Sequence, residues 1–173
     1  MTSYALGDIC SRLSSGKSIE SSKVWQTGAY PVLGGNGVRG YTNTFNFEGE
    51  CAVVGRQGAA CGNVRFFSGR AYMTEHAVVV QAAEGNDTRY LHYLLSTMNL
   101  GRLSAQSAQP GISVKTLAKQ AVKLPDLPTQ KRSSLLLSCL DDKIAINNQT
   151  NDYLAQLCEV VAGNYCESGI DCL

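Results

Sequence analysis

The stretch YPVLGGNGVRGYTN, Tyr30 to Asn43, contains a literal G-x-G-x-x-G at Gly35, Gly37 and Gly40. Two folds compete for it. A dinucleotide fingerprint follows a strand, opens a helix at its third glycine and meets an acid about twenty positions on, which would make this a doubly wound α/β protein. A turn-rich loop between strands would instead place the chain among β-rich folds. The flanks decide. After Gly40 comes YTNTFNF, whose β-branched, aromatic and asparagine residues are poor helix formers. Where the ribose-binding acid should stand are Gly55 and Arg56, and no G-x-x-x-x-G-K-[ST] occurs. The glycines are therefore read as a loop joining strands.

The segment that follows agrees with a β-rich reading. FEGECAVVGRQGAACGNVRFF alternates short apolar runs with glycine. It predicts strands at Cys51–Gly55 and Asn63–Phe67, joined by a tight GRQGAACG connection that presents Arg56 and Gln57. HAVVVQA, His76 to Ala82, predicts another strand. From Thr88 the period changes: Tyr90, Leu91, Leu94, Leu95 and Met98 recur at helical spacing. A polar SAQSAQPGIS follows, then a short helix or turn at VKTLAKQ, and the prolines of VKLPDLP close the globular part.

Beyond that closure the chain reads as one long helix. From Thr129 to Tyr165 there is no proline, and the single glycine is Gly163. Leu137, Ile144, Asn151, Cys158 and Tyr165 fall at one heptad position, and Leu140, Asn147, Leu154 and Val161 at the other. This is a coiled-coil seam with two asparagines, which cost stability but fix register. One helix cannot bury such a seam, so a partner helix from another chain is expected. The predicted class is α+β: a β-rich globular domain (1–127), a long coiled-coil helix (128–165) and a tail (166–173).

The totals narrow the function classes. The 173 residues are 44% hydrophobic and 17% charged with net charge +1, so a nucleic-acid partner would have to be met by a local basic surface. MTSYALGDICSRL lacks a basic region followed by an apolar core, and no apolar run approaches the ~20 residues of a membrane helix. A cytoplasmic protein with reduced thiols and no membrane contact is expected. The seven cysteines show no C-x-x-C pair, and neither His76 nor His92 completes a metal-ligand spacing, so they are read as core residues rather than ligands. Asp141 and Asp142 sit beside Lys143 and are read as a solvated helix face. No methyltransferase N/D-P-P-Y/F motif and no G-x-S-x-G elbow occurs, so the chain is not expected to be an enzyme.

In order, LGDICSRLSSGKSI, GAYPVLGGNGVRGY, AVVGRQGAACGNV and QPGISVKTLAKQAVKLPDLPTQKR, leading into a long helix with LDDKI, resemble the DNA-specificity subunits of type I restriction-modification systems. The resemblance covers about residues 4 to 160 and corresponds to one half of such a subunit. It implies a target recognition domain followed by a spacer helix, with paired helices antiparallel and each recognition domain reading one half of a bipartite DNA target. It implies double-stranded DNA and a methyltransferase subunit as partners, with the restriction/translocase subunit reached through the latter. It also implies no cofactor in this chain, S-adenosylmethionine, ATP and magnesium belonging to those partners. A lone half-unit is expected to form a homodimer, whose two-fold symmetry calls for an inverted-repeat target.

Within that frame Asn36 and Gln57 suit adenine, and Arg39 and Arg56 suit guanine, if they reach a major groove. Lys17, Arg65, Arg70 and Lys115 suit phosphates. Gln109, with Ser107 and Ser113, can contact DNA or satisfy loop backbone. Leu137, Leu140, Ile144, Asn147, Asn151, Leu154, Cys158 and Val161 are the dimerisation candidates. Two rivals stand beside this reading: a coiled-coil scaffold without DNA affinity, and a nucleotide-dependent enzyme using the glycine loop.

Overall fold

The computed structural model describes residues 2–104 and 111–167. Two compact units divide between Ser134 and Leu135. The first is built on a six-stranded mixed sheet. Its strands are β2 (Cys10–Ser15), β3 (Tyr30–Gly34), β4 (Gly37–Thr42), β5 (Phe47–Gly55), β6 (Val64–Met73) and β7 (Ala77–Ala82), in the order β2-β7-β5-β6-β3-β4. All neighbours are antiparallel except β3 and β6, which pair parallel at Val32↔Tyr72 and Leu33↔Met73. A separate two-stranded ribbon joins β1 (Thr2–Ala5) to β8 (Ala121–Leu124), register Thr2↔Leu124.

Residues 51–55 of β5 and 77–80 of β7 are apolar and buried at every successive position because both faces of the sheet are covered there. Ala52, Val54, Val78 and Val80 belong to a core completed by Leu6, Ile9, Leu100, Ile112 and Leu117, with Leu91 and Leu95 of helix α1 (Thr88–Ser96). Cys51, Val53, Ala77 and Val79 point the other way, into a second core with Leu33, Phe47, Ala71 and Met73. Leu33 and Val79 share that core although three strand pairings separate β3 from β7, so the sheet curls over it. Asp87 caps α1 by accepting from the Tyr90 N–H at 2.6 Å, and Ser113 caps the short helix α2 (Val114–Ala118) by accepting from the Thr116 N–H at 3.0 Å.

The expected strands at 51–55, 63–67 and 76–82 are present, and β5 and β6 extend well beyond the expected spans. VKLPDLP does more than close the domain: its first residues form β8 with Ala121. The long helix α3 (Leu127–Glu167) carries Pro128 in its first turn, where the missing N–H costs no hydrogen bond. Gln130, 1% exposed, fixes this first stretch within the globular unit. Its Oε1 accepts from the Asp87 N–H at 2.9 Å, and its Nε2 donates to the Pro125 carbonyl at 2.9 Å and to Asn86 Oδ1 at 3.2 Å.

From Cys139 to Ala162 every residue of α3 is exposed. The expected seam is one of two apolar stripes there. Leu136, Ile146, Tyr153, Leu157 and Val160, all more than half exposed, form a second line that is interrupted at Lys143 and Thr150. It lies roughly 100° around the helix from the first. The cysteines depart from their expected core role in part. Cys51 is buried and Cys10 and Cys61 are half-buried, but Cys139 and Cys158 are exposed on α3, which offers them no domain interior. All five are free thiols.

Candidate nucleic-acid interface

At Gly35 and Asn36 the chain turns between β3 and β4, and Gly37 continues it at φ +104, a conformation that disfavours any side chain. This hairpin tip approaches three other segments. A Cβ added to Gly35 would lie 3.0 Å from the His76 carbonyl oxygen, 3.1 Å from the Gly55 Cα and 3.4 Å from the Arg56 nitrogen. One added to Gly37 would lie 3.6 Å from Arg65 Cζ. The glycines thus serve close backbone packing, and no helix opens after Gly40, which sits within β4.

The β5–β6 loop presents Arg56 and Gln57 and is itself pinned. Arg56 N–H donates to the His76 carbonyl at 2.9 Å, and the Arg56 carbonyl accepts from the Ile112 N–H at 2.8 Å and from Cys61 Sγ at 3.1 Å. Gly111 packs against Gln57, where an added Cβ would meet Gln57 Cγ at 3.1 Å. Ser113 and Lys115 follow at α2, both exposed. On the other side Gly62, at φ +86, lies against Gly101, where an added Cβ would come within 2.2 Å of the Gly101 nitrogen. A polar cleft of about 590 Å³ opens there, lined by Asn63, Arg65, Ser96, Thr97 and Asn99 among others.

Asn36, Arg56, Gln57 and Arg65 are therefore held together on one surface. Arg39, on β4, joins its edge, its Cδ 2.8 Å from where a Gly34 Cβ would stand. Arg39, Arg56, Arg65 and Lys115 make no ion pair among the described residues, so their charge is available to an external anion. Glu75 is the nearby carboxylate, 3.4 Å from His76 Nε2.

Arg70 has a different setting, beside the opposite end of β5. It pairs with Glu48 at 2.9 Å and lies 5.1 Å from the Phe45 ring centroid. The hydrogen bond to Glu48, then that to Tyr30, raise its pKa further and hold its charge in place. Lys17 is exposed, its N–H donating to the Met73 carbonyl at 2.9 Å, and no described contact ties it to the cluster. Gln109 and Ser107 lie outside the described residues. Asn63, Asn99 and Arg102 are exposed residues of the same neighbourhood that the sequence reading passed over. Asn99 adopts the left-handed conformation at φ 46, ψ 57, and the signal for it is the N-L-G-R run, a polar turn directly after an amphipathic helix.

The thiol of Cys51 is pushed up to about 12 by burial, with Arg12 opposing, and that of Cys10 to about 11 by burial. Neither has the low-pKa, electropositive setting of a reactive cysteine. Among the described residues no group of three His, Cys, Asp or Glu could hold a metal ion, and no helix is long and apolar enough to cross a membrane.

Known proteins resemble this arrangement. The type I restriction modification DNA specificity domain matches residues 1–156. The Escherichia coli type I restriction enzyme EcoprrI specificity subunit is 40% identical over 112 residues, 65% of this chain and 28% of that one. A putative type I restriction enzyme specificity subunit of Haemophilus influenzae, S.HindORF215P, is 21% identical over 138 residues, 78% of this chain and 36% of that one. The chain thus spans about a third of the curated relatives it matches. Among solved structures, the type I restriction-modification S subunit of M. genitalium superposes with a TM-score of 0.76 at 19% identity, covering 92% of this chain and 43% of that one. The HsdS subunit of Thermoanaerobacter tengcongensis gives 0.64 at 17% identity, covering 84% and 38%. At these identities the likeness is one of fold: a sheet-rich domain followed by a long helix.

Proposed function

The chain belongs to the type I restriction modification DNA specificity family, and we propose that its glycine-tied surface reads one half of a bipartite DNA target while its long helix serves pairing and docking. A specificity domain is a non-catalytic component of a restriction-modification enzyme. The observation that carries the reading is the clustering of Asn36, Arg56, Gln57 and Arg65 on close-packed backbone, with both arginines unpaired among the described residues. Bidentate Arg and amide side chains distinguish guanine and adenine in the major groove. Backbone held by glycine contacts brings them close to a duplex, with Arg39 at the margin a further candidate for guanine, and Arg65 and Lys115 suit phosphates.

The proposed partners are double-stranded DNA, a second pairing helix and a methyltransferase subunit, with a restriction/translocase subunit reached through it. S-adenosylmethionine, ATP and magnesium belong to those subunits in this scheme, and the setting is cytoplasmic. The second apolar stripe of α3, Leu136 through Val160, supports methyltransferase docking, because a helix with two apolar faces is left half-uncovered by a single partner.

Competition binding with point variants tests this. Arg56→Ala should weaken binding to the target about 10- to 100-fold and relax preference at one base pair. Arg65→Ala should weaken target and random duplex alike and lower the salt slope by about one. Arg70→Ala, already neutralised by Glu48, should change either by less than about threefold. Equal effects of all three on target and random DNA would reject the assignment.

A further inference from the structure

The polar cleft beside the arginine cluster combines two kinds of chemistry. It opens where Gly62 lies against Gly101 and holds about 590 Å³. Arg65 is the one charged residue lining it, and no carboxylate does, among the described residues. The Arg65 guanidinium also lies against the hairpin tip, its Cζ 3.6 Å from where a Gly37 Cβ would stand, so the cleft continues the surface that carries Asn36. It hangs from the Arg56 loop as well. The Gly62 N–H donates to the Gly55 carbonyl at 2.8 Å, and the Asn63 carbonyl accepts from the Gly55 N–H at 2.9 Å.

Ser96 and Thr97, at the end of α1, line the cleft with hydroxyls whose protons are already engaged. Ser96 Oγ donates to the His92 carbonyl at 2.8 Å, and Thr97 Oγ1 to the Leu94 carbonyl at 2.7 Å. A hydroxyl has one proton, so both oxygens meet a ligand as acceptors only. They also stand at the negative end of the α1 dipole, which favours a donor there over an anion. A phosphate is thereby disfavoured at α1 and drawn to Arg65. Asn63 and Asn99 line the same space, both exposed, and their side-chain amides make no hydrogen bond among the described residues.

A ligand suited to this cleft brings a phosphate for Arg65 and an amino group for the hydroxyls. In the major groove adenine and cytosine each present an exocyclic amine, whereas guanine and thymine present acceptors. We propose that the cleft reads a base pair beyond those met by Arg56 and Gln57. Ser96 and Thr97 accept from the exocyclic amine of adenine or cytosine, Asn63 and Asn99 complete the contacts to the base edge, and Arg65 holds the backbone phosphate. Guanine or thymine on that strand would set a carbonyl oxygen against two hydroxyl lone pairs, so rejection comes from repulsion as well as from a lost hydrogen bond. The inference rests on the DNA-reading surface proposed above and adds to it one position of stated chemistry.

The test compares duplexes selected from a random pool by the full chain and by its Ser96→Ala/Thr97→Val variant, which removes both acceptors with little change of bulk. At one position the parent should prefer adenine or cytosine by about 5- to 50-fold, and the variant by less than about twofold. Positions that depend on Arg56 should be unchanged. Replacing the preferred base by its analogue lacking the amino group should weaken the parent by the same factor and the variant not at all. Adenine and cytosine analogues, tried separately, show which base is read. Should the double variant loosen the end of α1, Asn99→Gly serves instead: glycine keeps the left-handed backbone of φ 46 while the amide is lost, and the same preference should fall. An unchanged motif in both variants would overturn the inference. So would equal weakening at every position, which a merely structural role would produce. A melting shift with adenosine or cytidine monophosphate, alongside an unchanged DNA motif, would assign the cleft to a free nucleotide instead. A motif altered by Arg56→Ala but by neither cleft variant would remove this inference alone. No motif in the parent, with and without the methyltransferase subunit, would remove the DNA reading and this inference with it.

Discussion

Residues 51–55 and residues 135–161 both carry closely spaced apolar side chains, yet they end in opposite settings. Val53 and Val54 are at most 4% exposed, whereas Leu135, Leu136, Leu154 and Leu157 each keep more than half their surface. In the strand, successive side chains alternate between two cores that the same domain provides, so an unbroken apolar run is satisfied locally. In the helix, apolar side chains gather on two stripes that nothing in the second unit covers. The first region is covered by its own domain and the second is left exposed, so apolar content alone does not say which residues hold the fold.

Paired substitutions attack that contrast most strongly. Val54→Asp should cost more than about 4 kcal/mol and leave the globular unit unfolded at room temperature, because a lone carboxylate cannot be accommodated among Leu91, Leu100 and Val78. Leu154→Asp should leave the domain's urea-derived stability unchanged within about 0.5 kcal/mol while abolishing dimers by light scattering. If Leu154→Asp also melted the domain, the helix would be part of the core and the contrast would fail.

Gln130 sharpens the border between the two regions. Gln130→Ala should lower stability by about 1–3 kcal/mol, since the Asp87 N–H and the Pro125 carbonyl lose their buried partner. A loss well below about 1 kcal/mol would mean that the helix start is not anchored through this amide.

The thiols give the smallest effect. At pH 8 Cys139 should be labelled by a thiol reagent readily in the folded chain, and Cys51 only on unfolding. Because folding raises the Cys51 and Cys10 pKa values to about 12 and 11, the unfolded chain loses those protons first, near its ordinary pKa of about 8.5. Their contribution to stability is complete below about pH 8.5 and is lost as pH rises toward about 12. A Cys51→Ala variant should therefore show a shallower alkaline decline in urea midpoint than the parent. An equal decline would reject this source.

Much of the contrast is legible in the sequence, for local reasons. CAVVG and AVVV, bounded by glycine and histidine, are too short for helices and apolar throughout, which marks strands buried on both faces. The seam is legible because a heptad is a local pattern. The β1–β8 ribbon is not: Thr2 pairs with Leu124 across nearly the whole domain, and KLP carries a stop signal that hides a strand. Nor does sequence separate Arg70 from Arg65. Both lie on β6, and only the cross-strand register Glu48↔Arg70 shows which of them is already neutralised. The second stripe escapes a reading that stops once the first has satisfied the coiled-coil template, although Leu136, Ile146, Tyr153, Leu157 and Val160 carry its signal in plain spacing.

The most direct measurement is selection of bound duplexes from a random pool by the purified chain at low salt, followed by sequencing. An enriched inverted repeat with a fixed spacer is expected, since two recognition domains related by a two-fold axis read the same bases on opposite strands. No enrichment, with the methyltransferase subunit absent and again with it present, would contradict DNA reading by this surface.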